Sequence, residues 1–150
     1  MNSTRGMQAA LLGAFLLSMT GAAVQLDAQG GEKYSTRLAW VPIAGADRVT
    51  GKGAATATLS GKTLAIAGSF EGLGGPATIA RLHQGVARGA RGKPVADVTV
   101  PKSTSGSFAA SIVLTDEQIE ALKQGKLYLQ LNGDKGLAPD GANLWGWFQR

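Results

Sequence analysis

The feature that most constrains this chain is its punctuation. From Gly30 onward, turn-forming residues interrupt the sequence about every eight to twelve residues, and the runs between them alternate in polarity. Tyr34, Thr36, Leu38 and Trp40 alternate with Ser35, Arg37 and Ala39. Residues 53–59 are small and threonine-rich, and Ser60-Gly61-Lys62 turns them into 63–70, where Leu64, Ile66 and Phe70 share a face. These two runs predict a hairpin. Further strands are predicted over 78–83, 95–100, 106–114, 126–132 and 142–149. Strand side chains project to alternate faces, so Ile79, Arg81 and His83 oppose Thr78, Ala80 and Leu82. In the last run, Leu144 and Phe148 oppose Asn143, Trp145 and Trp147.

One helix interrupts the strands. Thr115-Asp116-Glu117-Gln118 has the form of a capping box, in which the threonine hydroxyl accepts from the Gln118 amide and the glutamine side chain reaches back. Lys123 suits the negative C-terminal end, Gly125 stops the helix, and Ile119 and Leu122 are its predicted core contacts. About eight short strands and one short helix predict an all-β fold, an antiparallel β-sandwich or Greek-key barrel. The composition agrees: 22 glycines in 150 residues and few aromatics favour turns and small-residue strands.

Residues 1–28 read as a secretory signal peptide. Arg5 supplies the positive start, residues 9–17 (AALLGAFLL) the apolar run, and Thr20-Gly21-Ala22-Ala23 the small residues that follow. That run is shorter than the roughly 20 residues a membrane-spanning helix needs. Cleavage after Ala22, Ala23 or Ala28 leaves one domain over 29–150; the alternative is an uncleaved N-terminal anchor. Either outcome predicts a domain outside the cytoplasm, periplasmic or secreted.

The stretch 72–85, GLGGPATIARLHQG, carries a glycine-rich turn into a strand that ends on His83. It resembles the signature of the chordin-type (CHRD) domain family, a G-x-x-G-P turn leading into A-H-I-H-G. Gly72, Gly75-Pro76, Ala80 and Leu82-His83 match it, followed after a loop by Pro94-Val95. Thr115, Gln118, Ile119, Leu122, Gly125 and Tyr128 resemble a second family run, and Pro139, Gly141 and Gly146 a third. The resemblance spans roughly residues 34–148 and implies a CHRD-like sandwich domain. The departures concern chemistry. Where family members often carry several histidines and a Glu/Arg pair, this chain has Arg81 with His83, then Asn132, then Asn143-Leu144-Trp145.

Those departures bear on catalysis. The chain has no cysteine and one histidine, so thiolate chemistry is absent and a nitrogen-rich metal centre has only His83 to draw on. A serine nucleophile needs a histidine base and an orienting carboxylate, for which only His83 with Asp97 or Asp134 is available. No G-x-S-x-G occurs, and the glycine-rich turn lacks the lysine and helix of a phosphate loop. The expectation is a protein that is not an enzyme and binds no cofactor or metal. The net charge of +5 lacks the clustering that nucleic-acid binding requires.

Two candidate binding surfaces remain. Arg88, Arg91 and Lys93 lie in a glycine-broken loop, and with Arg81 and His83 on the preceding strand they offer a basic end suited to carboxylate or phosphate; the alternative is a solvated connector. Trp145 and Trp147 share one face of the last strand. If Leu144 and Phe148 point inward, the indoles point outward as a contact patch; if both faces are buried, they are core. The leading expectation is a non-catalytic binding or structural module for a protein or an anionic envelope surface. The alternatives are a metal-binding redox protein of dismutase-like architecture and an accessory subunit held to a membrane by an uncleaved N-terminus.

Overall fold

The computed structural model describes residues 30–40, 49–137 and 141–150; the predicted signal segment and Pro139 lie outside the described residues. Eight strands and one helix form: β1 (Glu32–Leu38), β2 (Lys52–Ser60), β3 (Thr63–Glu71), β4 (Ala77–Gly85), β5 (Gly92–Val98), β6 (Gly106–Val113), α1 (Asp116–Lys123), β7 (Leu127–Leu137) and β8 (Ala142–Trp147). They make two four-stranded antiparallel sheets, ordered β1-β2-β3-β6 and β5-β4-β7-β8. The predicted hairpin is β2–β3, with Ser60 opposite Thr63 and Gly61 in a left-handed conformation, φ +58°.

Alternation places one face of each sheet in a shared core. The first sheet contributes Leu38, Leu64, Ile66, Phe70 and Phe108, and the second Leu82, Leu127, Leu129, Leu131, Leu144 and Phe148. The helix is the crossover from β6 to β7. Its capping box forms, with Gln118 N donating to Thr115 Oγ1 at 3.2 Å and Thr115 N to Gln118 Oε1 at 2.9 Å. Leu122 and Ala121 are buried beneath it, with Ile119 packed at the edge of the core.

The glycine-rich turn is another crossover, carrying the chain from β3 to β4. Its amides are held by the β5–β6 connection: Leu73 N donates to Thr104 O at 3.1 Å and Ala77 N to Ser103 O at 2.9 Å. At Gly75 a Cβ would collide with the Asp134 carboxylate, so the residue is needed for close approach. Alternation put Thr78 on one face with Ala80 and Leu82; a register shift between Ala77 and Ile79 leaves Thr78 exposed, and Ala77 joins Ala80 and Leu82 in the core.

Several strand boundaries differ from the sequence expectation. β5 begins at Gly92, so Lys93 and Pro94 belong to a strand; Pro94 is tolerated because β5 is a sheet edge. β7 runs on to Leu137, through the region expected as a loop.

The sheets meet along one side. Ser35 pairs with Gln149 and Ala39 with Trp145, through backbone hydrogen bonds of 2.7–3.1 Å, stitching β1 to the end of the chain around β8. Between those bridges β8 approaches β1 so closely that a Cβ on Gly146 would strike Thr36 Oγ1 and the Arg37 carbonyl. The architecture is therefore a sandwich stitched at one seam rather than a closed barrel.

Candidate functional site

The outer face of the second sheet is aromatic and polar, yet largely withdrawn from water. His83 on β4, Tyr128 on β7 and Trp147 on β8 occupy directly opposed positions. Their rings stack in series, with centroids 4.9 Å apart in both pairs. Trp145 meets Trp147 edge-on at 6.4 Å. Such ring pairs contribute about 0.5–1.5 kcal/mol each beyond the area they bury. Beside them Gln130 donates to Asn132 Oδ1 at 2.8 Å, and both are buried.

This ladder answers the question that strand alternation left open. Trp145 and Trp147 do point away from Leu144 and Phe148, but they do not stand side by side in solvent. Trp145 is only 7% exposed and Trp147 is half-buried. The guanidinium of Arg91 lies 4.1 Å from the centre of the Trp145 ring. A cation over an indole face is worth roughly 0.5–2 kcal/mol, more as water is excluded. The basic loop and the tryptophan strand, which the sequence presents as two surfaces, thus meet at one contact.

The other predicted residues fall into different roles. Arg81 is in an ion pair with the residue opposite it on β5, its Nε 2.7 Å from Asp97 Oδ1. That pairing takes up the charge assigned to a basic cluster, and it gives Asp97 a partner other than His83. His83 is buried beneath the Tyr128 ring, with Nδ1 3.4 Å from the Gly92 carbonyl. Among the described residues no three histidine, cysteine, aspartate or glutamate side chains gather as a metal site would require. Arg88 is exposed beside Gly89, whose φ is +78°, and Lys93 is exposed on β5 opposite Gln84.

Over the β1–β8 seam lies an open groove of about 750 Å³. Trp40, Trp145 and Trp147 all line it, together with Arg37, Thr36 and Gln149. These are all three tryptophans in the chain. Trp40 and Arg37 are the residues that sequence reasoning missed. Period-two alternation assigned Trp40 to one face with Tyr34, Thr36 and Leu38, the face on which Tyr34 and Leu38 are buried. The strand ends at Leu38, and Trp40, past its end, is 51% exposed. The available signal was the Pro42 two residues later, which disfavours continued strand pairing nearby.

Among the described residues no helix is long and apolar enough to cross a membrane. No curated protein matches the chain, and no solved structure does. The CHRD domain family matches residues 38–136, from the last residue of β1 into β7, so that β8 with Trp145 and Trp147 lies past the matched span. A match over that much of the sequence, on a two-sheet sandwich carrying the glycine-proline crossover, places the chain in a family: it belongs to the CHRD domain family.

Proposed function

We propose that this protein is an exported, non-catalytic CHRD-domain binding module that engages its partner through the groove over the β1–β8 seam. One observation carries the reading: every tryptophan in the chain, one just past the end of β1 and two on β8, lines a single groove beside an arginine. Trp and Arg are the residues most enriched at binding hot spots, because they combine large contact area with directed polar groups. Trp40 offers the exposed aromatic surface, Trp147 a partly covered one, and Arg37 a charge. Arg91 acts at one remove, holding Trp145 in place from the basic loop. Arg88 and Lys93 are exposed as well, Lys93 on β5 beside the groove between α1 and β4–β5.

The non-catalytic reading rests on His83, the one imidazole in the chain, which is packed against Tyr128 and lines neither the seam groove nor the groove between α1 and β4–β5. Export rests on the charged, apolar and small-residue order of residues 1–28. The test is capture of envelope material by purified mature chain, compared with Trp40→Ala and Arg37→Gln. Retention is expected to fall with both substitutions while the thermal midpoint stays put. Undiminished capture by both variants would remove the groove from the function. N-terminal sequencing of the exported form is expected to begin between Ala23 and Gln29.

A further inference from the structure

Resting on that reading, we infer that the groove's ligand is an anionic polysaccharide, a chain of sugar rings bearing carboxylates, bound across the seam. The chemistry of the lining leads there. Indole faces carry the negative side of the ring quadrupole and attract the weakly positive C–H faces of a sugar ring. Beside the indoles the groove is lined by the hydroxyls of Ser35, Thr36 and Thr56, groups able to donate to or accept from sugar hydroxyls. Among the described lining residues Arg37 alone is charged, and it has no acidic partner among the described residues. A guanidinium fork with no carboxylate beside it is complementary to a carboxylate on the ligand.

The surface beyond the groove favours a polymer of rings over a protein. Strand pairing continues the row Trp147–Arg37 through Ala54, Ser69 and Ser107, and the row Gln149–Ser35 through Thr56, Ala67 and Ala109. The positions on β2, β3 and β6 are exposed, and none is larger than threonine. The result is a terrace of small, uncharged side chains leading out of an aromatic groove. Serine and alanine are depleted from protein–protein interfaces, which depend on large anchors in pockets. An extended peptide adding as a strand needs a free sheet edge, and here the edges of β1 and β8 are stitched to each other. A flat ribbon of rings, stacked at the groove and lying over methyls and hydroxyls beyond it, meets neither obstacle.

The experiment uses the mature chain and tryptophan emission, with polygalacturonate, the same polymer with its carboxyls reduced to alcohols, and polyglutamate. Polygalacturonate is expected to quench and shift the emission. The reduced polymer should bind about tenfold more weakly, the loss of one charge-assisted contact, and polyglutamate should give no shift. Trp40→Ala should weaken polygalacturonate binding about tenfold or more; Arg37→Gln should do the same for polygalacturonate and leave the reduced polymer unaffected. Equal binding of polyglutamate, or no response to polygalacturonate, would overturn the inference. Envelope capture separates this from the wider reading. If capture depends on Trp40 and Arg37 but is abolished by protease and not competed by polygalacturonate, the groove binds a protein and the polysaccharide inference fails alone. If capture is indifferent to both residues, the two fall together.

Discussion

Trp145 and Trp40 carry the same side chain into the same groove, and their surroundings give them different work. Trp145 is 7% exposed, with Arg91 on its ring and Trp147 at its edge, whereas Trp40 is 51% exposed beyond the end of β1. Truncating a buried tryptophan removes contacts that the sheet cannot collapse to replace, at a typical cost of about 3–5 kcal/mol. Surface substitutions without such contacts usually fall within about 0.5 kcal/mol. Chemical denaturation should therefore show Trp145→Ala with a markedly lower midpoint and Trp40→Ala with the wild-type one. Similar midpoints for the two would show that the ladder does not hold Trp145 in place. At Gly146 the constraint is space rather than conformation. Gly146→Ala sets a methyl against Thr36 and the Arg37 carbonyl, and overpacking of this kind typically costs about 1–3 kcal/mol. Its effect should appear as a lowered midpoint and loosened tryptophan emission, because the seam bounds the groove.

Among the elements, α1 is the one whose boundaries are stated by local chemistry alone. Thr115 and Gln118 satisfy two amides at the start, Asp116 and Glu117 face the positive end of the helix dipole, and Gly125, with φ +69°, closes the far side. Thr115→Ala should cost about 1 kcal/mol of stability, typical of a lost N-cap, and Thr115→Ser almost nothing. Equal losses for the two would mean that the hydroxyl is not the cap. β7 is the opposite case. Leu127, Leu129 and Leu131 announce one buried face, but Tyr128, Gln130 and Asn132 on the other are buried as well. The strand lies between β4 and β8, with the aromatic ladder crossing its outer side. No pattern within β7 itself announces that.

At the scale of the molecule, the two ends of the described domain are clasped together. Tyr34 and Glu32 come from β1 and Arg150 from beyond β8. The Tyr34 hydroxyl donates to Glu32 Oε2 at 2.6 Å, Arg150 pairs with the same carboxylate, and its guanidinium lies 5.7 Å from the Tyr34 ring. The tyrosine hydroxyl first, then Arg150, hold the Glu32 carboxyl below its ordinary value of 4.5. Burial, followed by the Glu32 hydrogen bond, pushes the Tyr34 hydroxyl above its ordinary 10.0. A depressed carboxylate stabilises the fold above the unfolded-state pKa and loses that contribution as pH falls through the folded one. Glu32→Gln should therefore lower the thermal midpoint at pH 7, with the gap to wild type closing as pH drops below the ordinary carboxylate value. The raised tyrosine acts in the other direction: its contribution is present below pH 10 and fades as pH climbs past the folded value. A gap that stays constant through the acid range would show that the clasp contributes nothing by its charge. Exposure and salt keep such a contribution small.

Local rules determined the order of elements. Alternation, turn residues and the capping box are short-range signals, and they marked out eight strands, the β2–β3 hairpin, α1 and the shared faces of Leu64 with Ile66, Leu127 with Leu129, and Leu144 with Phe148, which the structure turns inward. The glycine-proline turn with the helix-start motif was also enough to reveal the family. The candidate site was legible only in pieces. Trp145 and Trp147 could be assigned a common side of β8, and Arg91 a place in a basic loop, but whether an outward side chain meets water depends on what the neighbouring strands bring across from it. His83, Tyr128 and Trp147 are 83, 128 and 147 residues along the chain and opposite one another in the sheet. Trp40 and Arg37 share a groove with Trp145 and Trp147 because β1 and β8, edge strands of different sheets, are hydrogen-bonded at a seam. The strands themselves follow from residues two apart; the ladder follows from strand pairings between residues distant in sequence, His83 with Tyr128 and Tyr128 with Trp147, and the seam and groove from pairings more than a hundred residues apart, such as Ser35 with Gln149, which only the assembled sandwich selects.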